Sequence, residues 1–156
     1  MNELPQSLPC LLLPLQSGGL IIPNANVVEV ALAGQLSSAI SSPFILGMMD
    51  WRQAQIPVMS FEGLLAGRMP NNLALRQVAI LRGLHHPGQL PYYGLALAAV
   101  PQVVHIGADD LLQVEGDAPT ACHSRVGLGG ATLMVPDCAV IEQRLLDAFS
   151  PAEALE

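Results

Sequence analysis

Most apolar segments in this chain are short, and proline or glycine cuts nearly all of them off before they could wind three turns of helix. Leu11–Leu15, Leu20–Ile22, Val28–Leu32, Gln55–Met59, Arg76–Leu81, Leu90–Val100, Val103–Ile106, Leu111–Val114, Ser124–Leu128 and Ala131–Val135 follow one another with breakers between them. Many short strands at regular spacing predict an all-β sandwich or barrel.

The punctuation supplies the connections. Ser17-Gly18-Gly19 predicts a hairpin from about Leu11 to Ile22, with Pro14 favouring an edge strand because it lacks an N–H. In Val28–Leu32, alternation turns Glu29 outward and puts Val28 and Val30 together on the opposite side, as core or as the lining of an apolar groove. A polar span, Gln35–Ser42, then Pro43-Phe44-Ile45-Leu46-Gly47 lead to a turn carrying Asp50-Trp51-Arg52. A second strand, Gln55–Met59, follows, and Leu64–Gly67 closes the segment as a turn. Met69-Pro70-Asn71-Asn72 is the clearest internal boundary, and Gly129-Gly130 is a two-residue hairpin signal.

The C-terminus breaks the pattern. Asp137 is placed to cap a helix after Pro136, and Val140, Ile141, Leu145 and Phe149 build one apolar face. Ser150-Pro151 ends it, leaving a frayed tail.

Composition narrows the function. The 156 residues carry 51% hydrophobic and 12% charged side chains, which excludes disorder and leaves apolar surface for partners. Net charge is −7 and the six basic residues, all arginine, are scattered, so nucleic acid is a poor partner. Cys10, Cys122 and Cys138 form no even disulfide framework and read as free thiols in a reducing cytoplasm. No apolar run is long enough to insert in a bilayer.

Catalytic and metal chemistry lack their residue patterns. His85-His86 and the set Cys122, His123, Cys138 match no structural zinc spacing. Gly-x-Ser-x-Gly, Gly-x-x-x-x-Gly-Lys and His-Glu-x-x-His are all missing, and with no lysine in the chain Schiff-base and Walker-type chemistry are excluded. The expectation is neither enzyme nor metalloprotein, with no cofactor; a small β-barrel enzyme or metal-binding protein using the histidines and cysteines is the alternative.

The order of parts from Val27 to Gly67 resembles the CheW family of chemosensory coupling proteins. That family's pattern is a Val/Glu strand, a Pro-aromatic-apolar-apolar-Gly step, an Asn-aromatic/Leu-Arg-Gly turn and an apolar-Pro-apolar strand. Tyr93–Val104 and Gly130–Asp137 resemble its later strands, so the likeness runs from Leu11 to Phe149. Gln53 stands where the family turn has glycine, Asp50 where it commonly has asparagine, and Ala98 where aspartate is usual.

The resemblance implies one domain over 1–156: two packed five-stranded SH3-like β-barrels, 18–68 and 73–137, an N-terminal strand at 8–16 and a helix at 138–150. It implies a non-catalytic adaptor in chemotaxis or twitching-motility signalling, cytoplasmic and recruited to membrane-associated receptor arrays. Its implied partners are the regulatory domain of a CheA-type histidine kinase and the cytoplasmic tip of a methyl-accepting chemoreceptor. A CheW-like domain that keeps only an array or localisation role also fits. The resemblance makes Val28, Glu29, Val30, Asp50, Trp51 and Arg52 the candidate contacts.

Overall fold

Alternating apolar residues give each strand two faces, and both faces are buried over much of this protein. In a computed structural model, residues 8–16, 18–34, 36–37, 42–68, 77–107, 112–113, 121–128 and 130–149 are described. Among these residues, eleven strands and two α-helices order as β1 (Leu8–Pro14), β2 (Gly19–Pro23), β3 (Val27–Leu32), β4 (Ile45–Trp51), β5 (Ala54–Met59), α1 (Phe61–Ala66), β6 (Gln77–Arg82), β7 (Tyr92–Leu97), β8 (Gln102–Ile106), β9 (Leu112–Gln113), β10 (Cys122–Leu128), β11 (Ala131–Pro136) and α2 (Cys138–Phe149). One sheet runs β8-β1-β2-β11-β10-β9 and the other β3-β6-β7-β5-β4. The fold is therefore mostly β with a C-terminal helix, as two SH3-like curled sheets; the two-residue β9 is the sixth strand of the first.

The pleat sorts side chains into three clusters. Met49, Trp51, Ile56, Val58, Val78, Ile80 and Ala96 fill the inside of the five-stranded sheet. Cys10, Ile21, Ile106, Val126 and Leu133 fill the other. The alternate residues of the same strands, among them Leu11, Leu13, Leu20, Ile22, Ala79, Leu81, Tyr93 and Leu95, meet between the sheets with Ile141 and Leu145 of α2. Each sheet takes strands from both 18–68 and 73–137, because β2 pairs with β1 and β11 while β6 and β7 join β3 and β5.

Several local expectations change. Pro14 is not on an edge strand: β1 lies between β8 and β2, and its ladder to β8 stops at Leu12, so the missing N–H breaks no bond. Leu64–Gly67 is the end of helix α1, started by the Ser60 hydroxyl accepting from the Gly63 N–H and closed by Gly67 at φ 74°. The long segment at Leu90–Val100 is strand only over Tyr92–Leu97. Met69–Asn72 and Ser150–Pro151 lie outside the described residues.

The hairpins at β1–β2 and β10–β11 form as expected. At α2, the Val140 N–H donates to the Asp137 carboxylate at 3.3 Å. One residue on that helix escapes the periodicity. Glu142 is fully buried, and its carboxylate accepts from the backbone N–H of Leu84 at 3.0 Å, His85 at 2.9 Å and His86 at 3.2 Å. It ties the β6–β7 loop to α2. Beside it, burial raises the Tyr93 phenol and the Cys138 thiol above their ordinary values, so both stay protonated.

Candidate functional site

Backbone geometry places the candidate residues. The turn between β4 and β5 is two residues long, Arg52 at φ 48° and Gln53 at φ 65°, with Trp51 paired to Ala54. Two successive positive φ values define a type I′ turn, whose twist matches that of the flanking strands. Asp50 and Trp51 therefore belong to β4 itself, and of the expected Asp50-Trp51-Arg52 turn Arg52 alone is on the turn, with Gln53. Asp50, exposed, accepts from the Gln55 side-chain amide at 3.1 Å across the hairpin.

Positive φ suits glycine, while an L side chain in this region costs roughly 1 kcal/mol or more. Gln53→Gly is therefore expected to raise stability by about 0.5–1 kcal/mol after allowing for the looser unfolded chain. Denaturant melts of both forms would check it; equal or lower stability would mean the turn is not strained at Gln53.

Strand β3 departs from simple alternation. Its register to β6 shifts between Val27 and Glu29, leaving Val28 as the extra residue of a bulge. Val28 consequently packs with the cluster holding Trp51, whereas Val30 packs on the inter-sheet core. The expectation that Val28 and Val30 share one face is wrong for this reason. The bulge also delivers Glu29 to the hairpin: the Arg52 guanidinium donates to its carboxylate at 3.1 Å.

Trp51 links these parts. It is 8% exposed, its ring meets Tyr92 edge-on at 4.9 Å, and the Arg52 guanidinium lies 4.5 Å above it. The arginine is held by a stack and an ion pair, both at an exposed position where each contributes at most about 1 kcal/mol. Such a group is well placed but easily re-paired. Glu29, Asp50, Trp51 and Arg52 thus gather at one end of the β4–β5 hairpin, with Val28 behind them; Val30 is not among them.

His85 and His86 sit on the loop held by Glu142, and no group of three or more metal-ligating side chains occurs among the described residues. The described cysteines are free. No helix among the described residues is long and apolar enough to cross a membrane.

Two SH3-like curled sheets thus share a core, and exposed polar groups gather on the β4–β5 hairpin. The chain belongs to the CheW-like domain family, whose model matches residues 9–144. Members of that family are non-catalytic scaffolds of chemosensory signalling. The structure is similar to that of the scaffolding protein TtCheW from Thermoanaerobacter tengcongensis, with a TM-score of 0.69 and 14% identity over 87% of this chain and 88% of that one. No curated protein matches the sequence.

Proposed function

We propose that this protein couples a chemoreceptor's cytoplasmic tip to the regulatory domain of a CheA-type histidine kinase, as a cytoplasmic adaptor at receptor arrays in chemotaxis or twitching motility. Family membership supports the adaptor class. The observation that carries the finer reading is Arg52, held on Trp51 and against Glu29 at the tip of a hairpin. A receptor helix in a groove between the sheets and a kinase domain on a separate barrel end would be bridged without any bond being made or broken. A partner carboxylate can take Arg52 from Glu29 at small net cost, because the existing pair is solvent-exposed.

Arg52→Ala is expected to change stability by only about 1 kcal/mol. Loss of a charge-assisted contact at an interface should weaken binding by roughly tenfold or more. Calorimetric titration with the kinase regulatory domain from the same organism, for wild type and Arg52→Ala, tests both halves. Binding by the wild type supports coupling, and its loss in the variant puts the hairpin at the kinase contact. If only receptor-fragment binding weakens, Arg52 serves the receptor side. Binding to neither partner would reject the coupler.

A further inference from the structure

Acidic side chains are missing from one long stretch of the chain. All thirteen lie outside the span between Glu62 and Asp109, while three of the six arginines and three of the four histidines fall within it. The β6–β7 loop exposes part of this span on a fixed frame. The fully buried Glu142 carboxylate takes the N–H groups of Leu84, His85 and His86. The His86 carbonyl in turn accepts from the N–H groups of Gln89 at 3.1 Å and Leu90 at 2.7 Å, and the Gly83 N–H donates to the Pro91 carbonyl at 2.8 Å. A Cβ at Gly83 would overlap the Leu90 carbonyl, so this closure needs glycine there. Outside the frame Arg82, Leu84 and His85 are exposed, and Arg82, His85 and His86 join no ion pair among the described residues.

We propose that this loop receives an acidic segment of a partner protein, with carboxylates set against Arg82, His85 and His86 and an apolar side chain in the cleft beside them. Charge complementarity chooses the acid. Arg82 and both imidazoles can donate, and no residue of the loop carries a carboxylate to satisfy them. The cleft chooses a protein. About 260 Å³ in volume, it is lined by Met48, Pro57, Leu90, Pro91, Tyr92 and Leu146 among others. That is below the roughly 300–1,000 Å³ of small-molecule sites and suits one large apolar side chain, the kind of anchor on which protein interfaces concentrate their energy. Free phosphate has no such group to offer. Two residues join the parts: the Leu90 N–H is bonded to His86, and Tyr92 stands opposite Arg82 in the β6–β7 ladder. Three successive amides fixed on a buried carboxylate hold the loop in shape before anything binds, which spares the cost of ordering it.

None of these residues is assigned to the coupling contact, so this surface and the kinase titration stand or fall separately. The full chain, isotope-labelled, is titrated at low salt with short synthetic peptides that carry several Asp or Glu around one Leu, Met or Phe, up to millimolar concentration. Backbone amide resonances are followed. The expected result is saturable shifts centred on the loop from Gly83 to Tyr92 and on Leu146. Arg82→Gln in the protein, glutamine for the peptide's acidic residues, and serine for its apolar one should each weaken binding about tenfold, and added salt should weaken it further. No shift in the loop with any peptide, or equal binding by the glutamine or the serine form, overturns the proposal. So does an equal response of the same amides to inorganic phosphate or a DNA oligonucleotide, which would make the loop a general anion site.

Discussion

Alanine in place of Glu142 is expected to remove about 3–5 kcal/mol of folding stability. The carboxylate is fully buried and serves the N–H groups of Leu84, His85 and His86. Truncation leaves those donors inside the protein without acceptors and opens a void, and each orphaned donor costs about 1–3 kcal/mol unless water enters. Glutamine is the informative companion. Its carbonyl can still accept from His85 and His86, but its NH₂ then faces the Leu84 N–H, so a loss nearer 2 kcal/mol is expected. Chemical denaturation of the variants checks both, with hydrogen exchange on residues 84–86 showing whether the loop is released. A Glu142→Gln protein as stable as wild type would mean that the three amide contacts contribute little.

The second large effect lies at Trp51. Trp51→Ala should cost about 3–5 kcal/mol, since it removes the ring that closes the inner cluster and the edge contact to Tyr92. Trp51→Phe should cost far less. It shrinks the side chain but also removes the N–H that has no acceptor, and relief of about 1–3 kcal/mol offsets most of the lost packing. Thermal and denaturant melts would separate the two substitutions. If the phenylalanine form falls as far as the alanine form, the indole N–H has a partner in solution.

The strands were legible because alternation and breakers are local signals; β1–β2, β10–β11 and the Asp137-capped helix follow from neighbouring residues alone. What escaped was set at a distance. The bulge at Val28 depends on the register against Ile80 and Leu81, and alternation within β3 cannot reveal it. Glu142 looks like the polar flank of an amphipathic helix, since its partners are backbone groups 56 to 58 positions away. Helix α1 is too short for periodicity, although Ser60 before it and Gly67 after it were usable cap signals. Of the candidate contacts, Trp51 and Arg52 stood out by type and Glu29 by its place among valines. That a two-residue turn and a bulge would bring them together could not be read from either segment alone.

The first sheet has a consequence for synthesis. Its earliest hairpin, Leu8–Pro23, leaves the ribosome before either neighbour exists: β8 begins at Gln102 and β11 at Ala131. Until then Cys10 and Ile21, on one face of the hairpin, lack Ile106, Val126 and Leu133, the residues that cover them in the finished protein. The growing chain therefore carries a sticky, half-made edge for most of its translation, and completion of this sheet waits on nearly the last strand.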